Sequence, residues 1–182
     1  MLLWWIGEGR EDHVMMAEVR NHVGQTFGIP VQISVGKERP TDSFDASRGQ
    51  HASSKVLRWL LGVCPPHAGK ILAVTDVDLF IPILTFVYGE AQLDGVAALV
   101  STARLARNPD GQPAERQLLI ERLLKECIHE LGHTFGLVHC TDRRCVMARA
   151  ASLFDVDAKR RGLCRECRLQ MRQLRGVGGE GS

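Results

Sequence analysis

The chain has 182 residues, 45% hydrophobic and 24% charged, with a net charge of +2, the make-up of one ordinary domain able to bury a core. So small a net charge gives no electrostatic case for nucleic acid or a membrane surface, although arginines outnumber the acids Asp155, Asp157 and Glu166 between Arg143 and Arg175. No apolar run approaches the roughly 20 residues needed to span a bilayer, and the apolar start MLLWWIGEGR has neither the length nor the basic lead of a signal peptide, so a cytoplasmic protein is expected.

In chain order, LLWWIG (2–7) reads as a buried strand, and 12–28 as a helix with Asp12 near its start and Gly28 at its end. PVQISVG (30–36) alternates as a strand should. A polar loop (40–49) precedes a stretch with helical spacing (50–62), and KILAVTDVDL (70–79) reads as a central strand because its apolar run is nearly unbroken. Residues 86–102 hold one or two strands, with turns or a bulge at Gly89 and Gly95. After a second polar loop (107–113), Pro113 opens a long helix whose apolar stripe runs through Ile120, Leu123, Leu124, Cys127, Ile128, Leu131 and Phe135 and stops near Gly136. The expected fold is an α/β layered domain without internal repeats. The tail 176–182 (GVGGEGS) reads as flexible.

The long helix ends in HELGHTFGLVHC, residues 129–140. Residues four apart share a helix face, so His129 and His133 can aim both imidazoles at one ion. That face lies nearly opposite the apolar stripe, which predicts core on one side and a cleft on the other. Glu130 sits a step around the helix, beside the metal without being a ligand, where a general base belongs. Gly136 permits a sharp turn that brings His139 back as third ligand. Three protein ligands leave a fourth position for water, the mark of a catalytic zinc.

The motif HExxHxxGxxH followed by a methionine is the metzincin zinc-peptidase signature. With Cys140 directly after the last histidine, then CTDRRCVM and CREC, the chain resembles the archaemetzincins over residues 129–167. The resemblance implies an α+β metzincin-like fold: a mixed twisted sheet with an antiparallel edge strand above the cleft, a long zinc-binding active-site helix, and a small C-terminal zinc-tied subdomain. It also implies that Met147 is the Met-turn methionine packed beneath the zinc. One catalytic domain, 1–175, is expected, with a sheet-and-helix part (1–136) and a C-terminal part (137–175).

Cys140 and Cys145 form one close pair, and Cys164 and Cys167 a Cys-x-x-Cys pair. Two such pairs separated by a loop follow the plan of a structural four-cysteine zinc site, giving two zinc ions per chain. The competing reading, two disulfides, does not suit a reducing compartment. Arg143, Arg144, Arg165 and Arg168 lie beside the thiolates and can offset their charge. Cys127 belongs to the apolar stripe, Cys64 reads as an ordinary loop or buried cysteine, and His13, His22, His51 and His67 lack metal-like spacing.

The implied reaction is peptide-bond hydrolysis by a zinc-coordinated water activated by Glu130, acting on a peptide or protein substrate laid along an edge strand. The edge is expected within LDGVAALVST, with Gly95 to Leu99 nearest the cleft, and Arg149 to Ser152 are expected to wall the pocket for the side chain after the cut. Arg149 there suggests a leaning toward acidic substrates. Two alternatives stand beside this: a metal-dependent endoribonuclease with similar histidine spacing, and a non-catalytic zinc module that holds a peptide. Glu130 favours the peptidase. Neither membrane nor nucleic-acid partners are expected, and the sequence says nothing of oligomeric state.

Overall fold

The computed structural model of the chain describes residues 1–7, 12–36 and 39–177. Among the described residues, eight strands, β1 (Leu2–Trp5), β2 (Gln32–Val35), β3 (Phe44–Asp45), β4 (Gln50–Ala52), β5 (Ile71–Thr75), β6 (Leu79–Phe80), β7 (Gly89–Ala91) and β8 (Ala97–Ser101), are joined by five α-helices. These are α1 (His13–Phe27), α2 (Ser53–Val63), α3 (Arg116–Thr134), α4 (Leu153–Ala158) and α5 (Arg165–Val177). The main sheet has the order β2-β1-β5-β8-β7. Its first four strands are parallel, and β7 closes one edge antiparallel to β8. This is the expected mixed sheet with an antiparallel edge.

Strands β5 and β8 are buried at every residue, as interior strands covered on both faces must be. Alternate side chains serve opposite layers. Leu72, Val74, Ala98 and Val100 pack with α1 and α3, whereas Ile71, Ala73, Ala97 and Leu99 pack with α2. Helix α1 starts and stops as its sequence indicates: the Asp12 carboxylate accepts the N–H groups of Val14 and Met15, and Gly28 closes the helix at φ 61°.

Several boundaries differ from the sequence reading. Residues 50–52 are strand β4, and α2 begins only at Ser53. The apolar run 70–79 holds two strands: β5 in the main sheet, and β6, which joins β3 and β4 in a second small sheet. Helix α3 begins at Arg116, because Pro113 is held in an isolated bridge with Arg107. Helices α4 and α5 were not anticipated, and α5 runs to Val177, two residues into the stretch read as tail. Residues 178–182 of that tail lie outside the described residues. Gly89 is neither turn nor bulge but the first residue of β7. Most consequential for the cleft, the stretch Gly95 to Leu99 is not the edge: β8 lies between β5 and β7, and the free edge is Gly89–Ala91.

The far side of α3 also departs from expectation. Arg122, Lys125, Glu126, His129 and Glu130 are buried along with the apolar stripe, because the chain after Met147 folds back over them. Among the described residues, no helix is long and apolar enough to cross a membrane.

Candidate functional site

Helix α3 delivers His129 and His133, and Gly136, at φ 89°, turns the chain so that His139 returns to them. Only glycine takes that backbone conformation without strain. The three rings gather with centroids 4.7, 5.3 and 4.9 Å apart, and one nitrogen from each lies within 4.8 Å of the others. His129 Nδ1 is 2.8 Å from the Val146 carbonyl oxygen and His133 Nδ1 is 2.7 Å from that of Leu137. A carbonyl only accepts, so both Nδ1 atoms donate, and each Nε2 keeps its lone pair. These two lone pairs face each other at 3.2 Å. Without a proton between them they repel, and a cation placed against both removes the conflict. The spacing is close to the edge of a tetrahedral site with Zn–N bonds of about 2.0 Å. Burial lowers the proton affinity of all three imidazoles, which keeps them neutral as ligation requires. The residues fit a zinc ion.

Two glycines, Gly89 and Gly132, make room for this site in a way the sequence reading did not foresee. A Cβ on Gly89 would lie 2.6 Å from the Leu99 carbonyl oxygen and 2.7 and 2.9 Å from Cγ and Cδ of Glu130. The edge strand therefore passes directly over the glutamate because residue 89 has no side chain. A Cβ on Gly132 would collide with Met147 Sδ and lie 2.9 Å from its Cε. Met147 is fully buried against the helix at Gly132, between the histidines. Glu130 is itself buried, and that burial, with the Glu126 charge nearby, raises its pKa well above the usual carboxylate value.

The cleft beside the histidines is a cavity of about 240 Å³, lined among others by Tyr88, Gly89, Glu126, Glu130 and Arg149 to Ala151. Its wall, from Arg149 to Ala151, is fixed at both ends. On one side is Met147. On the other is α4, capped by Ser152 and Asp155 in reciprocal hydrogen bonds and tied to α3 by buried cations. Arg122 grips Asp157 through two 2.7 Å bonds and also donates to the carbonyls of Leu105 and Arg107. Lys125 donates to the carbonyls of Val156 and Asp157, and Lys159 pairs with Glu126 at 2.9 Å. Charged residues on a helix ordinarily read as a solvated face, so sequence periodicity carried no sign of this arrangement.

The four cysteines meet as expected, with their sulfurs all within 4.8 Å. Cys140 and Cys164, like Cys145 and Cys167, are 3.8 Å apart, far beyond a disulfide bond of about 2.05 Å and equal to the edge of a tetrahedron with Zn–S bonds of about 2.3 Å. The N–H of Cys164 points to Cys145 Sγ and that of Cys167 to Cys164 Sγ. Burial works to raise the Cys164 pKa, but the Cys167 N–H and the neighbouring thiols outweigh it and hold it below the ordinary value. The Cys140 N–H donates to the Met147 carbonyl, joining this cluster to the methionine under the histidines. Of the nearby arginines, Arg168 donates to the Leu163 carbonyl, and Arg143, Arg144 and Arg165 are exposed. Cys127 is core, as its stripe position indicates.

Comparison with known proteins agrees with this geometry. The model of peptidase family M54 matches residues 41–173. An archaemetzincin of Methanocaldococcus jannaschii is 40% identical over 159 residues, 87% of this chain and 86% of that protein. The crystal structure of an archaemetzincin from Methanopyrus kandleri superposes with a TM-score of 0.84 at 34% identity, covering 96% of this chain and 94% of that one. A zinc-dependent peptidase from Methanocorpusculum labreanum gives 0.80 at 31% identity, covering 93% and 98%.

Proposed function

The chain belongs to peptidase family M54, the zinc metallopeptidases known as archaemetzincins, and on that footing we propose a division of labour among its residues. His129, His133 and His139 hold a catalytic zinc, while Cys140, Cys145, Cys164 and Cys167 hold a second, structural one. When bound, the catalytic zinc supplies a Lewis acid that polarises the scissile carbonyl and acidifies water. Glu130 takes a proton from the attacking water and passes it to the leaving amine.

The observation that carries this reading is the environment of Glu130. It is buried beside the histidines, roofed by Gly89, with its proton affinity raised. A carboxylate must gain basicity to accept a proton at neutral pH, and burial supplies it. The substrate is a polypeptide that lies extended along β7, whose outer edge has no partner strand among the described residues. Backbone hydrogen bonds to that edge set its position. The side chain after the cut enters the cavity walled by Arg149 to Ala151. The four-cysteine site fixes the chain after His139, and its reduced thiols suit a cytoplasmic protein.

The test is elemental analysis of the purified protein together with cleavage assays on peptide and RNA libraries. Two zinc ions per chain and peptide cleavage are expected. RNA cleavage without peptide cleavage would favour the ribonuclease alternative, and peptide binding without any cleavage would favour the non-catalytic module.

A further inference from the structure

Lys159 ends α4 with its side chain 1% exposed, and Glu126 opposite it is 4% exposed. Burying a charge is costly unless an opposite charge faces it. Glu126 also lines the cavity that contains His129 and Glu130, whereas Lys159 does not. The pair thus puts an acid in the cavity wall and its counter-charge behind the wall, in the interior. The other charged wall residue besides Glu130, Arg149, is exposed and screened by water.

We propose that Glu126 is the specificity-determining residue of the pocket for the side chain after the cut, and that Lys159 sets its character by neutralising it. With the pair intact, the wall offers no net charge. A substrate lysine entering the cavity would lose its hydration and find a carboxylate already engaged, and a substrate glutamate would meet a like charge. The pocket therefore takes uncharged side chains. Without Lys159, the same wall becomes an acceptor for lysine or arginine. This inference rests on the peptidase reading for the direction in which substrate lies.

The experiment compares peptides that differ only in the residue after the cut, Leu, Glu or Lys. Cleavage is measured on the zinc-loaded protein, and binding on its zinc-loaded Glu130→Gln form. Lys159→Met and Lys159→Gln are made in each. The glutamine can still donate a hydrogen bond to Glu126, so it decides the matter if the methionine variant does not fold. The wild type should prefer Leu, and either variant should raise the Lys-to-Leu ratio by about tenfold or more, the value of a charge-assisted hydrogen bond. Adding Glu126→Gln to Lys159→Gln should restore the wild-type ranking. Effects on the catalytic base or on zinc cancel in these ratios, which separates specificity from general damage. A folded variant with the wild-type ranking overturns the proposal, as does a wild type that prefers Lys or a failure of every form to bind. If peptides bind but the wild type cleaves none, the peptidase reading fails, and the binding ratios still decide the role of Glu126.

Discussion

Replacing Gly89 with alanine perturbs the site by one methyl group whose neighbours are known. The new Cβ would sit 2.6 Å from the Leu99 carbonyl oxygen and 2.7 Å from Glu130 Cγ, the latter about 1 Å closer than carbon atoms pack comfortably. The carbonyl belongs to β8, an interior strand, and yields little. Glu130 must then move, or β7 must lift away from β8. Overpacking of this kind costs about 1–3 kcal/mol of stability. Displacing a catalytic group by about 1 Å costs on the order of 100-fold in rate. Gly89→Ala should therefore remain folded, keep its zinc, and lose about 100-fold in kcat. Steady-state kinetics with thermal unfolding and zinc analysis would measure all three. A variant with wild-type kcat would refute the claim that the edge strand and the base are in mutual contact.

Other substitutions test other parts. Cys164→Ser opens the four-thiolate site and should cost about 3 kcal/mol or more, roughly 6–12 °C in melting temperature. His133→Ala should cost about 1 kcal/mol or less, since its ring supports metal more than fold; equal losses would contradict the division into structural and catalytic zinc. Gly132→Ala drives a methyl group into Met147, both of them buried, and should lower stability by about 1–3 kcal/mol. Asp12→Ala removes the α1 cap and should cost about 1 kcal/mol. The Met15 N–H, opposed by burial and aided by Arg116, holds the Asp12 pKa below 3.8. Its contribution is therefore complete above that value and lost as pH falls through the lowered one. Denaturation of both proteins across acidic pH should show their difference closing in that window.

What the sequence revealed follows from where its signals are strong. The caps of α1, the apolar stripe of α3 and the unbroken apolar run of β5 each state a local preference that the fold keeps. The histidine and cysteine clusters were legible because ligation fixes both residue type and spacing. The edge strand was misplaced because Ala97 to Ser101 carries the stronger strand pattern. Yet that pattern, apolar on both faces, describes an interior strand, whereas Gly89, Glu90 and Ala91 are too small or polar to stand out. Strands β3, β4 and β6 span two or three residues each, too few for a period to register. The spacing of Cys167 and Met171, both buried, marks the narrow inner face of α5, hidden among arginines. Arg122, Lys125 and Glu126 could not be foreseen as buried, because their partners lie about thirty residues away in α4 and at Lys159 or beyond a loop.

Glu130→Gln tests the central claim most directly. The substitution keeps side-chain size and hydrogen bonding and removes basicity, and Glu130 lies outside the three-histidine cluster. Zinc-loaded Glu130→Gln should contain as much zinc as the wild type and bind the same peptides. Its kcat should fall by about 100- to 10,000-fold, the usual worth of general acid–base help. Peptide cleavage at the wild-type rate by the zinc-loaded variant would contradict the mechanism.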